Sequence, residues 1–160
     1  MAASRGISTI TTVDIVVPNT DSYLEEFNIV QKVISVTFAV RNLPVSLADD
    51  AVNIQAIFNE AVLGAWNNRT LVRRGVVPQT TLRLPPRFIA FTPTYENISR
   101  FLFRVFAPIT ASISPISELE WVRVVGSSEF PNVDLVSAIS FSDQNANTKT
   151  QSRLVRAKKR

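Results

Sequence analysis

The sequence contains no histidine and no cysteine among its 160 residues. Without them the chain can form no disulfide, thiol nucleophile, Ser-His-Asp triad, zinc finger or haem ligation. What remains for an enzyme is carboxylate chemistry with hard metals or with sugars. The 13 acidic residues include only two adjacent pairs, Glu25-Glu26 and Asp49-Asp50, and neither lies in a recognisable motif. We therefore expect a protein that is not an enzyme and that uses no cofactor and no metal.

Long apolar runs are also missing. No uninterrupted apolar stretch approaches the ~18 residues that a transmembrane helix needs, and residues 1–6 lack the apolar core of a signal peptide. We expect no membrane association and a cytosolic location. The length predicts one domain. With 46% hydrophobic and 19% charged residues, the chain is more apolar than a free monomer needs, so we expect copies of the chain to cover part of its surface.

Positive charge is concentrated in two segments. The C-terminal residues 142–160 hold six cations and Asp143 alone, and residues 69–104 hold seven arginines and only Glu96. Arginine offers a planar, forked donor to phosphate and stacks on bases, whereas an ordinary solubilising surface would include lysine. We predict that the central segment binds single-stranded RNA through its arginines, which are Arg69, Arg73, Arg74, Arg83, Arg87, Arg100 and Arg104.

Both segments have a second interpretation. The central arginines could instead pair with carboxylates such as Asp49, Asp50 and Glu60. The basic tail, residues 142–160, could be a solvated, disordered end or an electrostatic contact to nucleic acid. Its polar composition predicts disorder.

The periodicity of apolar residues predicts mostly helices. Ser22 and Glu25 have the spacing of a capping box and begin a predicted helix over 22–40. A strand over 33–40 is the competing interpretation, because Val, Ile, Thr and Phe favour strands. A second helix is predicted over 46–67, where one apolar face comprises Ile54, Ile57, Phe58, Ala61, Val62, Ala65 and Trp66.

The other predicted elements are shorter. Residues 1–19 form an extended arm, and residues 80–84 and 87–91 form two short extended pieces on either side of a proline turn. A third helix is predicted from Thr92 to Pro108.

Two segments after this helix stay ambiguous. Ser114-Pro115 is a plausible helix start, although residues 121–125 would also serve as a strand. Residues 133–141 form a last weak element.

This order of elements resembles the coat proteins of rod-shaped plant viruses of the tobacco mosaic virus type. The resemblance spans about residues 20–108 and is a pattern of spaced residue types. It is carried by Ala51-Val52, Phe58-Asn59-Glu60 and Trp66, by the run Pro-Gln-Thr-Thr-Leu-Arg-Leu-Pro at residues 78–85, and by Phe88-Ile89-Ala90-Phe91.

The resemblance implies a mainly α fold, a four-helix up-and-down bundle with a small β-sheet at one end, to which the disordered basic tail is added. One coat-like domain would then cover residues 1–141. The family's arginine-rich turn is replaced by residues 107–110, so Arg100 and Arg104 would take over its phosphate contacts. Asp134 stands where the family has an Arg-Asp helix start at its RNA site.

The function that the resemblance implies is a viral capsid subunit that assembles helically around single-stranded genomic RNA, in the virion and the host cytoplasm. Acidic side chains at subunit contacts, Glu25, Glu26, Asp49 or Asp50, could repel one another there and act as an assembly switch. Two alternatives remain open from the residues. One is an icosahedral β-sandwich coat protein, and the other is a monomeric cellular RNA-binding module.

Overall fold

A computed structural model describes residues 9–43, 51–127, 133–141 and 153–158, and they form one mixed β-sheet with helices packed against one face. The predicted four-helix bundle is wrong, because strands dominate the chain. The elements in chain order are β1 (Ile10–Leu24), β2 (Ile29–Arg41), α1 (Ala51–Phe58), a π-helical turn (Asn59–Leu63), α2 (Gly64–Trp66), β3 (Arg69–Arg73), β4 (Pro86–Ile89), α3 (Tyr95–Ile113), β5 (Glu118–Ser127), β6 (Val133–Phe141) and β7 (Arg153–Lys158).

The seven described strands lie in the order β4-β3-β1-β2-β5-β6-β7. The neighbours from β1 through β2, β5 and β6 to β7 are antiparallel. β3 runs parallel to both β1 and β4. The strand order places β4 at one edge of the sheet. The described part of the chain therefore has a single sheet, and not the two packed sheets of a sandwich.

The predicted helix over 22–40 is replaced by the end of β1, a tight turn and β2. Asn28 adopts a φ of 52°, a left-handed conformation that asparagine tolerates and that turns the chain back. In β2, Val36, Phe38 and Val40 are buried on one face. The competing interpretation, a strand over 33–40, is confirmed, because this run of β-branched residues meets partner strands on both sides.

The predicted helix over 46–67 is confirmed over residues 51–66, where α1, the π-helical turn and α2 follow one another without a break. Residues 46–50 lie outside the described residues. The third predicted helix exists as α3, and the Thr94 hydroxyl caps it by accepting a hydrogen bond from the Asn97 N–H (3.1 Å). Its predicted end at Pro108 is wrong, because α3 continues through this proline to Ile113.

Other weaker predictions are confirmed in part and corrected in part. Residues 10–19 of the predicted arm belong to β1, and the tail contains β7, so that disorder is wrong for Arg153–Lys158. Residues 80–84 form no strand, while Pro86–Ile89 does. The ambiguous segments resolve as the strands β5 and β6.

The core lies between the sheet and the helices. The rings of Phe38 in β2, Phe58 in α1 and Phe106 in α3 lie with centroids 4.6 to 4.8 Å apart, and all three side chains are fully buried. Ring packing of this kind joins both helices to the same face of the sheet. The opposite face carries no helix in the described part of the chain.

A second anchor joins the start of α3 to the sheet. The buried Tyr95 hydroxyl donates to the carbonyl oxygens of Lys32 (2.6 Å) and Ser127 (3.1 Å). Burial, and secondarily the charge of Asp21, raises the pKa of Tyr95, so the hydroxyl keeps the proton that it donates. Gly126 lies directly beneath this contact, and a Cβ atom there would collide with the Tyr95 hydroxyl and the Lys32 carbonyl.

Candidate nucleic-acid interface

Four of the predicted RNA-binding arginines gather at the end of the sheet formed by β3 and β4. Arg69 and Arg73 begin and end β3, and Arg74 follows it, with its N–H donating to the Ile89 carbonyl (2.7 Å). Arg87 in β4 pairs with Leu71, which lies between Arg69 and Arg73 along β3. We call the surface formed by Arg69, Arg73, Arg74 and Arg87 the β3–β4 corner.

Strand geometry places three of these arginines on one face. Side chains alternate along a strand, and paired residues of neighbouring parallel strands lie on the same side of the sheet. Arg69, Arg73 and Arg87 therefore share the face on which Leu71 is buried, and all three arginines are exposed. Three exposed cations on one side of the sheet can attract the same anion.

One of the four arginines is held by a carboxylate. Arg73 donates through Nε to Glu25 Oε1 (2.8 Å) and through Nη2 to Glu25 Oε2 (2.7 Å), in the forked geometry that suits guanidinium and carboxylate. The Thr92 hydroxyl also donates to Glu25 Oε1 (3.3 Å). Hydrogen bonding to Arg73 lowers the pKa of Glu25, and the same pair raises the pKa of Arg73.

The Glu25–Arg73 pair should make the stability of the folded protein depend on pH. Because the folded-state pKa of Glu25 lies below its ordinary value of 4.5, its contribution to stability is present above that value and disappears as the pH falls through the folded-state pKa. We expect Glu25→Gln to lower the melting temperature near neutral pH and to have no effect in strong acid. Thermal unfolding followed by circular dichroism across this pH range measures the difference.

The matched control is Glu26→Gln, because Glu26 is the exposed neighbour of Glu25 and forms no ion pair within the described residues. It should leave the melting temperature unchanged at each pH. An equal effect of both variants would show that the Glu25–Arg73 pair does not form in solution.

Arg83 is also paired, away from the β3–β4 corner. Its Nη2 and Nε donate to Asp21 Oδ1 (2.8 Å) and Oδ2 (3.2 Å), and its Nη1 donates to Asn19 Oδ1 (2.9 Å). The Asp21 side chain is only 3% exposed. A carboxylate buried this deeply requires its cation, so Arg83 compensates the charge of Asp21 in the folded protein.

The other three arginines of the β3–β4 corner have no such partner. Within the described ranges, no carboxylate lies within ion-pair distance of Arg69, Arg74 or Arg87, and all three are exposed. Within the described residues, the alternative that the central arginines pair with acids therefore holds for Arg73 and Arg83, whose partners are Glu25 and Asp21. Of the expected partners, Glu60 forms no ion pair in this part of the chain, and Asp49 and Asp50 lie outside it. The β3–β4 corner keeps three positive charges after Glu25 has neutralised Arg73.

Arg100 and Arg104 lie on a different element. Ile98, Leu102 and Phe106 form the buried side of α3, and at 3.6 residues per turn the two arginines fall on the opposite side. Arg104 is exposed, and Arg100 is half-buried with one hydrogen bond to Asn97 Oδ1 (3.1 Å). The two share one face of α3 and do not belong to the β3–β4 corner.

The remaining predicted residues are dispersed. Asp134 lies in β6, and Asp49 and Asp50 lie outside the described residues. Glu26 is exposed beside the β1–β2 turn. Glu25 forms an ion pair with Arg73 of its own chain, whereas a repulsive switch needs an unpaired carboxylate. The inter-subunit role of these acids stays a prediction.

No group of three or more acidic side chains is placed to hold a metal ion within the described ranges. In the same part of the chain, no helix is both long and apolar enough to span a lipid bilayer.

Comparisons with protein-family models, with curated proteins and with solved structures give no match to this chain.

Proposed function

We propose that this protein is a non-enzymatic viral coat subunit that binds single-stranded RNA at the β3–β4 corner and associates with copies of itself. The observation that carries the proposal is the set of three exposed arginines, Arg69, Arg74 and Arg87, that have no ion pair within the described residues. The virion and the host cytoplasm are the corresponding locations.

RNA would be attracted to the β3–β4 corner electrostatically. Guanidinium groups with no protein carboxylate nearby attract phosphate, and their binding releases the counterions condensed on the nucleic acid. Such contacts position the chain without reading its bases. Arg73, fixed by Glu25, keeps further N–H groups that point to no described acceptor, so it can add a phosphate contact without losing its pair.

Self-association is supported by exposed apolar side chains. The edge strand β4 carries Phe88 at 47% exposure. Large apolar side chains that remain exposed in one copy favour contacts between copies. In the described residues these are Ile10, Phe27, Ile34, Ile57, Val77, Phe88 and Ile116.

A second candidate function, a monomeric RNA-binding module, is favoured by the face of the sheet that carries no helix. The Arg123 guanidinium lies 5.4 Å from the centre of the Trp121 ring. They pair in register with Ala39, which is fully buried, and with Thr37, which is half-buried. An aromatic and an arginine on an open sheet face are a common means of stacking unpaired bases.

The icosahedral alternative has less support. A β-sandwich coat requires two sheets packed face to face, whereas the described strands all belong to one sheet whose inner face is covered by helices.

RNA affinity across a range of salt concentrations tests the proposal. We expect the double variant, which carries both Arg69→Gln and Arg87→Gln, to bind a labelled oligouridylate more weakly than the unmodified protein does. The plot of log K against log salt should become flatter, by about 0.7 for each phosphate that the variant no longer neutralises. Fluorescence anisotropy measures both quantities.

The control is Arg123→Gln, which removes one arginine charge from the face of the sheet opposite the helices. Its RNA affinity is compared with that of the single variant Arg87→Gln, which removes one arginine charge from the β3–β4 corner. Our proposal requires Arg123→Gln to bind as the unmodified protein does. If Arg123→Gln weakens binding and the Arg69/Arg87 double variant does not, the open face is the RNA site and the β3–β4 corner is excluded.

A further inference from the structure

A cavity of about 360 Å³ is lined by the β1–β2 hairpin and by the segment that leads from β3 to β4. The hairpin contributes Asp21 and Lys32, which are paired in register. The segment contributes Thr80, Thr81 and Arg83. The volume falls within the range of about 300 to 1,000 Å³ typical of small-molecule sites.

The walls of the cavity are held together by hydrogen bonds. The Tyr23 hydroxyl donates to Asn28 Oδ1 (2.6 Å) and accepts from the Gln79 N–H (3.2 Å), which joins the hairpin to the start of the segment. The Thr70 hydroxyl donates to the Leu84 carbonyl (2.9 Å) at its other end. A cavity with both walls fixed in advance does not have to order them when a ligand binds.

Charge and donors in the cavity favour an anion. Arg83 uses three N–H groups on Asp21 and Asn19, and a guanidinium has five, so two remain. Both oxygens of Asp21 accept from Arg83, so this carboxylate is already compensated. The exposed Lys32 ammonium has no ion pair within the described residues and leaves the cavity with one net positive charge.

The other residues that line the cavity offer hydroxyl donors and an apolar surface. The hydroxyls of Thr80 and Thr81 have no hydrogen-bond partner in the described part of the chain and can donate to an oxyanion. Ile29 and Val30 supply an apolar surface beside them. A ligand that suits both parts has one phosphate joined to a flat, partly apolar body.

We propose that this cavity binds a nucleotide, with its phosphate held by Lys32, Arg83 and the two threonine hydroxyls, and its base or ribose against Ile29 and Val30. The phosphate belongs either to a free nucleoside monophosphate or to a nucleotide of an RNA strand. The inference does not depend on the β3–β4 corner, because only Arg83 was predicted to bind RNA and it lies outside that surface.

The test is a titration of the full chain with uridine monophosphate and with uridine, followed by amide chemical shifts in ¹⁵N-labelled protein. We expect the monophosphate to shift amides of residues 28–32 and 79–83 and to bind at least about tenfold more tightly than uridine, because uridine lacks the phosphate that accepts the charge-assisted hydrogen bonds. Equal affinity for the two ligands, shifts confined to other regions, or no binding of the monophosphate would overturn the proposal.

The variant that tests the site is Lys32→Gln. Because the Lys32 side chain forms no ion pair in the described residues, its replacement should leave the fold intact. We expect it to weaken binding of uridine monophosphate by about tenfold or more. Arg104→Gln, an equal change of charge on α3, should bind normally. Arg83→Gln is avoided, because it would leave the buried Asp21 without its cation. Unchanged affinity in Lys32→Gln would overturn the assignment.

An oligouridylate without terminal phosphates separates the two sources of phosphate. If it displaces uridine monophosphate from the cavity, the natural ligand is a nucleotide within an RNA strand. If it does not, the ligand is a free nucleotide. A loss of RNA affinity in the Arg69/Arg87 variant, with normal binding of uridine monophosphate, would show that the corner and the cavity act separately.

Discussion

Replacing Phe106 with alanine is expected to lower the free energy of unfolding by about 3 to 5 kcal/mol. Phe106 is fully buried, and its ring lies 4.8 Å from those of both Phe38 and Phe58. Truncation removes apolar burial and leaves a cavity where α1, α3 and the sheet meet, and the surrounding rings are fixed by their own elements. Urea denaturation followed by far-ultraviolet circular dichroism measures the change.

The matched control is Phe88→Ala in the edge strand β4. Phe88 is 47% exposed, so its truncation should cost less than about 1 kcal/mol. If the two alanine variants are equally stable, Phe106 is not in the core and the packing of α3 on the sheet is incorrect.

The second large effect is expected from Gly126→Ala, which should lower the free energy of unfolding by about 3 kcal/mol or more. The added methyl group would meet the Lys32 carbonyl and the Tyr95 hydroxyl. Backbone cannot move aside as a flexible side chain can, so β2 and β5 would have to separate or Tyr95 would have to leave its two carbonyl partners. Chemical denaturation of the variant measures the change in stability.

Gly75→Ala is the corresponding control. A Cβ atom at Gly75 would meet no atom within 4 Å, although its φ of +91° is strained for other residues. Its cost should be limited to about 1 kcal/mol of backbone strain. A Gly126→Ala variant that is no less stable than Gly75→Ala would contradict the close approach of Tyr95 to the sheet.

The helices that the sequence predicts correctly are those with a long apolar period and local end signals. Residues 51–66 and α3 both have a continuous apolar stripe, although α3 is capped by Thr94 and not by Thr92, where its start was predicted. These signals are local, so the sequence alone carries them. The continuation of α3 past Pro108 depends on packing of the following turn, where the Thr110 hydroxyl donates to the Phe106 carbonyl (2.8 Å).

The helix predicted over 22–40 failed because two patterns competed within it. The capping-box spacing of Ser22 and Glu25 is short and occurs by chance, and Ser22 is buried inside β1. The β-branched run after Asn28 gains its stability from strands that are distant in sequence, since Val36 pairs with both Ile15 and Val124. Pairing over such separations leaves no local signal.

The candidate sites show the same division. Composition identified the arginine-rich segment, and the β3–β4 corner does bring four of those arginines together. It did not identify which were already paired, because Asp21 and Glu25 lie 62 and 48 residues from their partners. The nucleotide-sized cavity was missed entirely, since Lys32 lay within the predicted helix and Thr80 and Thr81 within a predicted strand.

Particle formation on RNA is the most direct test of the proposed coat function. Electron microscopy and light scattering of the purified protein, mixed with single-stranded RNA, should reveal particles of many subunits on each RNA. The Arg69/Arg87 double variant should form none under the same conditions. If the unmodified protein binds RNA one copy at a time and stays monomeric at high concentration, it is not a coat subunit.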